Sequence, residues 1–216
     1  MRIVCISDTH SKHEEIEHVP EGDVLIHAGD SLAFGSLFDL EDFDGWLGRL
    51  PHRHKIIIAG NHDTCFEDRA DKAQKLVTNA VYLEDSGIEI EGLKFWGSPW
   101  TPRFFDWAFN ANRGPQLFEK WQRIPLDTDV LITHGPPKGI LDAVITRDGE
   151  EQVGCNDLLR RLSELKNLKA HIFGHIHGGY GTEIHGIARQ VRFVNASICT
   201  EQYQASNAPI VIDVGS

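Results

Sequence analysis

Short, largely apolar runs recur along the chain, and most of them are rich in β-branched residues. Five of these runs are each followed at once by a polar cluster: 3–6, 24–28, 56–59, 130–133 and 171–173. Continuous apolar character over a few residues is typical of strands that are buried on both faces of a sheet. The pattern therefore predicts a sheet-based core in which polar residues follow the strands.

Three segments have apolar positions at helical spacing or a short charged pattern that suits a helix: 37–50, 69–77 and 157–168. The alternating runs 88–90 and 93–96 flank Glu91-Gly92, which predicts a hairpin with a two-residue turn. Residues 191–196 and 209–214 are two further strand candidates.

Strands that alternate with helices early in the chain, followed by hairpin-like strands, predict two mixed sheets packed face to face with helices outside. This is an α/β fold, a four-layer α/β/β/α sandwich. A length of 216 residues suits one sizeable core, and no low-complexity linker interrupts the chain. We therefore expect a single domain over residues 1–216.

Composition and charge narrow the classes of partner. The chain is 41% hydrophobic and 25% charged, as is ordinary for a globular protein. Its formal net charge of -11 argues against a broad basic surface for nucleic acid or an anionic membrane. A small anionic substrate is still compatible with this charge if bound cations reverse the field locally. We expect a small-molecule partner, and the oligomeric state is left open.

The chain begins with a strand-like run and shows neither a membrane-spanning apolar stretch nor a cleavage-site pattern, so we expect a cytoplasmic location. Cys5, Cys65, Cys155 and Cys199 form no Cys-x-x-Cys pair, which favours reduced thiols over a zinc knuckle or disulfides. A thiol nucleophile is disfavoured because no nearby motif supplies an activating base.

The polar clusters at the ends of the five runs contain residues that bind metals. They are Asp8-Thr9-His10, Gly29-Asp30, Gly60-Asn61-His62-Asp63, His134-Gly135-Pro136 and Gly174-His175-Ile176-His177. Imidazole nitrogen and carboxylate or amide oxygen suit zinc, manganese, iron and similar ions. In open α/β sheets, catalytic groups lie outside the carboxyl ends of the strands. Each motif alone is weak evidence for a metal site. It is very unlikely, however, that all five follow strand-like runs by chance.

The candidate ligands are too many for a single ion. They are Asp8, His10, Asp30, Asn61, His134, His175 and His177. Two ions about 3.5–4 Å apart, sharing one bridging carboxylate, would use them all and leave positions for water and substrate. We therefore predict a site for two divalent metal ions, with manganese, iron, zinc and nickel as the candidates.

The five motifs, in this order, resemble those of the calcineurin-like metallophosphoesterases. The surroundings are most similar to the metallophosphoesterase-domain-containing branch, as in Ser98-Pro99-Trp100, Trp107-Ala108-Phe109-Asn110 and His134-Gly135-Pro136-Pro137. The resemblance implies one metal on Asp8, His10, Asp30 and His177, and another on Asp30, Asn61, His134 and His175. Some mammalian members have glycine at the position of His175, so its presence here implies a competent two-metal enzyme.

The expected chemistry is phosphoester hydrolysis. A hydroxide that bridges two divalent ions attacks phosphorus in line with the leaving oxygen, while the metals offset the developing charge. Asp30 would bridge the ions, and His62 would protonate or hydrogen-bond the departing alkoxide. Asn61, His62 and Arg113 are the expected substrate contacts. For Arg113, the sequence favours two roles equally: bidentate hydrogen bonding to phosphate, and an ordinary surface or salt-bridge arginine.

Three features leave alternatives open. Residues 98–114 read as a long aromatic loop, in which Trp107 and Phe109 pin the loop to the core or, less favoured, stack on a nucleobase. Many family members carry Asp or Asn at the position of Ala33 to orient the histidine of Gly-Asn-His; here Asp63 or a backbone carbonyl is the alternative partner. The other histidines are expected to be non-ligands, with His27 and His171 near enough to support the ligands.

The expected function is hydrolysis of small phosphodiesters such as cyclic nucleotides, on which the similar branch acts. A phosphomonoesterase or protein phosphatase is the first alternative, and a nuclease is less attractive because of the negative charge. A non-catalytic nucleotide-binding or scaffold protein that keeps the fold is the alternative from another class. The intact ligand set opposes this last alternative, and only Ala33 favours it.

Overall fold

The computed structural model describes residues 1–186 and 190–215, which form two large sheets and two small ones. In chain order the strands are β1 (Arg2–Ile6), β2 (Val24–Ala28), β3 (His54–Ile58), β4 (Val81–Tyr82), β5 (Ser86–Ile90), β6 (Leu93–Ser98), β7 (Thr101–Pro102), β8 (Asn110–Ala111), β9 (Val130–Thr133), β10 (Ala143–Thr146), β11 (Gly149–Gln152), β12 (Ala170–Phe173), β13 (Gly181–Gly186), β14 (Gln190–Asn195) and β15 (Ile210–Asp213). The helices are α1 (Leu37–Arg49), α2 (Cys65–Asp68), α3 (Ala70–Leu76), α4 (Pro115–Gln122) and α5 (Asn156–Leu162), and single 3-10 turns lie at His13–Glu15 and His177–Gly179.

Parallel strands form the centre of both large sheets. The first has the order β15-β1-β2-β3-β4, in which β15 is antiparallel to β1 and the others are parallel. The second has the order β13-β14-β12-β9-β6-β5, with antiparallel strands at its two edges. An isolated parallel bridge between Ser7 and Ser197 joins the sheets just beyond β1 and β14. The carboxyl ends of the parallel strands therefore meet at one edge.

The core consists of three apolar layers. Ile26 and Ile56 of the first sheet pack against Val130 and Ile172 of the second, in the layer between the sheets. A second layer lies between the first sheet and α1 to α3, and a third between the second sheet and α4 and α5. Strands β1, β2, β9 and β12 are almost wholly buried because both of their faces are covered. The predicted four-layer sandwich is confirmed.

The helix predicted over 157–168 is shorter in the structure, because α5 ends at Leu162. The chain continues in tight turns, in which the N–H of Leu165 donates to Leu162 O and that of Leu168 to Leu165 O. Residues three apart lie on the same side of such turns, as they nearly do in an α-helix. Leucine spacing of three therefore keeps these side chains buried without an α-helix.

The sequence pattern missed the hairpin of β10 and β11 and also the edge strand β13. Strand β11, Gly149–Gln152, is exposed along its whole length, so it has no apolar face that a periodicity search could detect. Between Ser98 and Gly114 the strands are the two-residue β7 and β8, which agrees with the prediction of an irregular loop. Strands β10, β11 and β13 lie outside the core layers, but α4, which the pattern also missed, contributes Leu117 and Trp121 to the third layer.

The four cysteines are buried free thiols, as expected. Burial raises the pKa of Cys65 to about 12 and that of Cys199 to about 11, so both remain protonated near neutral pH. Within residues 1–186 and 190–215, no helix combines the length and apolar character needed to cross a bilayer.

His171 on β12 is fully buried and neutral. Its Nε2 lies 2.8 Å from Thr133 Oγ1, which itself donates to Gly135 O over 2.8 Å. Because the hydroxyl proton is used on that carbonyl, the imidazole must be the donor at Nε2. Burial lowers the pKa of His171 to about 3. His27 on β2 is related in the same way to Thr9, so both histidines contact residues adjacent to predicted ligands.

We predict that His171 makes the metal-free protein less stable in acid. The unfolded chain binds a proton at His171 below about pH 6.5, whereas the folded chain does so only near pH 3, so the free energy of unfolding falls as pH falls between these values. At pH 4 the loss from this one group is on the order of 3 kcal/mol. In His171→Gln, an amide nitrogen can still donate to Thr133, and urea unfolding at pH 7 and pH 4 should show a smaller loss than in wild type. The exposed His18→Gln is the control, and an unchanged loss in His171→Gln would refute the assignment.

Candidate metal centre

The predicted ligands follow the carboxyl ends of five strands: Asp8 and His10 follow β1, Asp30 follows β2, Asn61 follows β3, His134 follows β9, and His175 and His177 follow β12. The structure places them in overlapping groups whose ligand atoms lie within 4.8 Å of one another: Asp8 with His10 and His177, His10 with Asp30 and His62, and Asp30 with His134 and His175. Asp30 belongs to two groups and so joins the two halves of the cluster.

Distances within the cluster show where the ligand atoms converge. His177 Nε2 lies 3.3 Å from Asp8 Oδ1 and 3.2 Å from His10 Nε2. On the other side, His134 Nε2 lies 3.3 Å from Asp30 Oδ2 and 3.0 Å from Asn61 Oδ1. Asp30 Oδ2 is also 3.9 Å from His10 Nε2. All seven predicted ligands therefore lie at one place.

Main-chain carbonyls fix the tautomers of two histidines. His177 Nδ1 lies 2.9 Å from Thr200 O, and His134 Nδ1 lies 3.0 Å from Ala28 O. A carbonyl only accepts, so each Nδ1 carries a hydrogen and each Nε2 faces the cluster, where it would present its lone pair to a bound ion. This is the arrangement of metal-ligating histidine. Together with the buried carboxylates, it fits divalent metal ions.

Asp8 is fully buried and its orientation is fixed by several donors. Ser7 Oγ donates to Oδ2 over 2.6 Å, Ser197 Oγ over 3.0 Å, and the N–H of His175 over 3.0 Å. Burial raises the pKa of Asp8, but the hydrogen bond and charge of His177 outweigh this and hold the pKa well below its usual range. The carboxylate is therefore ionised and has Oδ1 facing His177.

Ser7 and Ser197 are functional residues that the motif search missed. The backbone N–H of Ser197 also donates to Asn195 Oδ1 over 3.2 Å, and the Asn195 side-chain N–H donates to Ile176 O within the Gly-His-x-His segment over 2.8 Å. The available signal was positional, because Ser197 follows the buried strand β14 as Asp8 follows β1. A serine is so common at the end of a strand that this signal is weak.

Asp63 ties the loop that carries Asp30 to the loop that carries Asn61. Its carboxylate accepts the N–H of Leu32 over 2.8 Å, the N–H of Gly60 over 2.8 Å, and the N–H and Oγ of Ser31 over 3.2 and 3.0 Å. Burial, followed by the charge of Asp30, raises the pKa of Asp63 to about 6. The side chain is committed to positioning the two loops.

The partner of His62 is a main-chain oxygen. His62 Nδ1 lies 2.8 Å from Ala33 O, and the His62 N–H donates to Asp30 Oδ1 over 2.8 Å. Of the two alternatives left by the sequence, the structure therefore shows the backbone carbonyl and not Asp63. The ring is half-buried, and its Nε2 remains available for a ligand or substrate.

Close backbone approach explains two of the motif glycines. A Cβ at Gly174 would lie 1.9 Å from Asp8 Oδ2, and one at Gly60 would lie 2.3 Å from Asp30 Oδ1. Four of the predicted ligands have left-handed backbone: Asp8, His10, Asp30 and His175 have φ of 51°, 45°, 53° and 68°. Such strain concentrates at functional sites when the surrounding structure holds it in place.

A cavity of about 1080 Å³ opens from the cluster. The loop 102–107 and the hairpin of β10 and β11 line it beyond His10, His62 and His177. Tyr203, which the motif search also missed, lines the cavity with its ring centroid 4.9 Å from that of His10 and 5.2 Å from that of His177.

Arg113 and the aromatic loop have defined contacts. Arg113 lines the cavity, and its guanidinium donates to Val153 O over 2.5 Å and to Gly154 O over 2.7 Å. These bonds use two of its five N–H groups, and its predicted fork onto phosphate stays a prediction. Phe109 is buried in the core layer against the first sheet, whereas the ring of Trp107 packs on His62. The loop is thus pinned to the core.

Residues 1–179 match the family model for calcineurin-like phosphoesterases, a span that contains all seven predicted ligands. The chain belongs to the calcineurin-like phosphoesterase family. This confirms the resemblance inferred from the motifs, and membership supports a metal-dependent phosphoesterase.

This phosphoesterase is also similar, over nearly all of this chain, to parts of curated proteins. It is 43% identical to Metallophosphoesterase domain-containing protein 1 of Homo sapiens, over 99% of this chain and 71% of that protein. It is 35% identical to a UPF0046 protein of Caenorhabditis elegans, over 99% of this chain and 60% of that protein. The crystal structure of TT1561 from Thermus thermophilus has a TM-score of 0.58 at 12% identity, covers 90% of this chain and 88% of that one, and supports the fold alone. The predicted similarity to the metallophosphoesterase-domain-containing branch is confirmed.

We predict that Asp63→Asn weakens metal binding although Asp63 is not among the proposed ligands. The amide places a donor against backbone N–H groups and releases the loops that carry Asp30 and Asn61. Loss of such a supporting contact typically lowers metal affinity about 10- to 100-fold. Manganese binding measured against a competing chelator tests this, with the exposed Asp68→Asn as a charge-matched control. Wild-type affinity in Asp63→Asn would show that the loops are held without this carboxylate.

Proposed function

We propose that this phosphoesterase is a dinuclear metal-dependent phosphodiesterase for small organic phosphodiesters, including cyclic nucleotides. The observation that carries the proposal is the position of Asp30, whose Oδ2 lies 3.3 Å from His134 Nε2 and 3.9 Å from His10 Nε2. One carboxylate shared by two ligand groups is what a pair of adjacent ions requires.

The ligands divide between two ions in the proposed site. Asp8, His10, Asp30 and His177 would hold one, and Asp30, Asn61, His134 and His175 the other. When bound, two divalent ions activate water as the nucleophile and stabilise the charge on the phosphoryl oxygens. Manganese, iron, zinc and nickel all suit this mixed nitrogen and oxygen set, so availability contributes to the choice.

His62 is the proposed general acid. Its Nδ1 is committed to Ala33 O, so Nε2 is the atom that donates to the leaving oxygen. A hydrogen bond or proton delivered there offsets the charge that grows as the phosphorus–oxygen bond breaks. Asn61 and Arg113 are the further proposed substrate contacts, and both line the same cavity.

The lining of the cavity favours a diester over a monoester. Of the described residues that line it, the permanently cationic ones are Arg103 and Arg113. Asp106 Oδ1 lies 3.1 Å from Arg103 Nη1 and offsets its charge, whereas Arg113 donates to two neutral carbonyls, keeps its charge and has further N–H groups for one phosphate. A monoanionic phosphate with organic groups on both sides suits this cavity better than a dianionic monoester or a polyphosphate.

We also infer that residues 1–216 act as one metallophosphoesterase domain. Strand β15 returns to pair with β1, which ties the end of the chain to the strand that leads into Asp8. A cytoplasmic location stays a prediction, and the buried free cysteines are compatible with it.

Metal reconstitution tests the proposed reaction. Metal-stripped protein should be inactive, and manganese, zinc, nickel or iron restored one at a time should return turnover of cyclic nucleotides or bis-p-nitrophenyl phosphate. Asp30→Ala should abolish turnover and the binding of two ions per chain, whereas the exposed Asp68→Ala should retain both. Faster turnover of p-nitrophenyl phosphate would favour a phosphomonoesterase. Two bound ions without turnover of any ester would favour a nucleotide-binding or scaffold protein.

Substitution of His62 tests its separate role. His62→Ala should lower kcat for an alkyl-ester substrate by about 100- to 10,000-fold, the usual contribution of general acid catalysis. Metal content should not change, because His62 is not among the ligands of the proposed ions. Elemental analysis beside steady-state kinetics measures both quantities, and the exposed His18→Ala is the control. Unchanged kcat would remove His62 from the mechanism.

A further inference from the structure

Trp107 is the largest side chain in contact with His62. The centroids of the two rings lie 4.1 Å apart and their planes are inclined by 30°, so the indole covers one face of the imidazole. His10 approaches as well, at 4.7 Å and nearly perpendicular. The imidazole therefore has three contacts that restrain it: the hydrogen bond from Nδ1 to Ala33 O and the rings of Trp107 and His10.

The backbone around Trp107 is tied to the segment that carries His62. The N–H of Ala108 donates to Asn61 O over 3.2 Å, and the N–H of Phe109 donates to Glu67 Oε1 over 3.0 Å. Phe109 is 2% exposed and packs in the core layer that covers the first sheet. The indole is consequently held at a set position relative to His62, unlike the exposed Phe104 and Phe105 of the same loop.

Without the indole, the bond to Ala33 O and the edge contact with His10 would be left to hold the imidazole. The bond to Ala33 O restrains one ring nitrogen but leaves the ring free to pivot about it, and His62 and Trp107 both line the cavity. A misplacement of about 1 Å in a catalytic group can cost on the order of 100-fold in rate.

We infer that Trp107 is a positioning residue for His62, and that it aims the imidazole at the leaving oxygen of the substrate. This inference rests on the proposed function. As the bond from phosphorus to the leaving oxygen breaks and the bond to the attacking water oxygen forms, His62 Nε2 gives its proton to the leaving oxygen. The proton released by the attacking water passes to solvent, from which His62 is protonated again. Trp107 contributes by keeping Nε2 within reach of that oxygen.

The loss of rate caused by substituting such a residue should depend on the basicity of the leaving group. Phenoxide is far more basic than p-nitrophenoxide and needs a proton as it departs, although the two groups have nearly the same shape. If the His62 imidazole is no longer correctly oriented, hydrolysis of methyl phenyl phosphate should therefore slow much more than hydrolysis of methyl p-nitrophenyl phosphate. A residue that only stacks on the substrate would instead raise KM for both esters.

The experiment compares kcat for the two esters in the manganese-loaded protein. Trp107→Leu should lower kcat for methyl phenyl phosphate by about 10- to 100-fold and that for the nitrophenyl ester by less than about 3-fold. Trp107→Phe, which retains an aromatic face, should recover most of the loss. Adding Trp107→Leu to His62→Ala should cause no further selective loss. The matched control from the same loop is Phe104→Leu, whose effect should be equal for the two esters.

A measurement without turnover tests the contact itself. The imidazole protons of His62, identified by their disappearance in His62→Ala, should show the upfield ring-current shift of a stacked indole in the proton spectrum. Trp107→Leu should remove that shift, and Phe104→Leu should keep it. An equal loss of kcat for both esters, a rise in KM alone, or an unshifted His62 signal in wild type would each overturn the inference. If the wild-type protein hydrolyses neither ester, the proposed function fails first and the inference fails with it.

Discussion

The junction of the two sheets beyond β1 and β14 is the constraint on which the metal centre depends. The N–H of Ser7 donates to Ala196 O over 2.9 Å, and the N–H of Ile198 donates to Ser7 O over 2.8 Å. Backbone bonds thus fix the end of one sheet against the end of the other directly beside Asp8. Ligands contributed by different sheets are brought together by this pairing.

This convergence has an energetic cost that the neighbouring polar groups offset. Left-handed backbone at Asp8, His10, Asp30 and His175 costs on the order of 1–3 kcal/mol for each residue in comparable cases. Two buried carboxylates lie at the same place. Hydrogen bonds from Ser7, backbone N–H groups and the histidines compensate the carboxylates. The centre is therefore a locally unfavourable arrangement that the four layers hold in place, and ion binding would add to the stability of the fold.

The sequence predicted the layers and the residues that meet at the candidate metal centre because both depend on short-range patterns. Strands buried on two faces have continuous apolar runs, and each run is followed by its ligand motif. The pattern could not predict the hairpin of β10 and β11, whose strand β11 is exposed and lacks an apolar face. It also could not reveal Ser197 or Tyr203, because their roles arise from folding over long sequence separations: Ser197 lies 189 residues from Asp8. Over 157–168, the sequence pattern identified the leucines that are buried, but it did not predict that the α-helix ends at Leu162 and is followed by tight turns.

The hydrogen bond from His62 to Ala33 O has a consequence for how sequences vary at this position. Every residue type has a main-chain carbonyl, so the orientation of the imidazole by this bond does not depend on the side chain at position 33. Substitutions there can accumulate while the bond persists, provided that the backbone keeps its path. A conservation profile that requires a carboxylate or amide at this position would discard chains in which the main chain performs the same role.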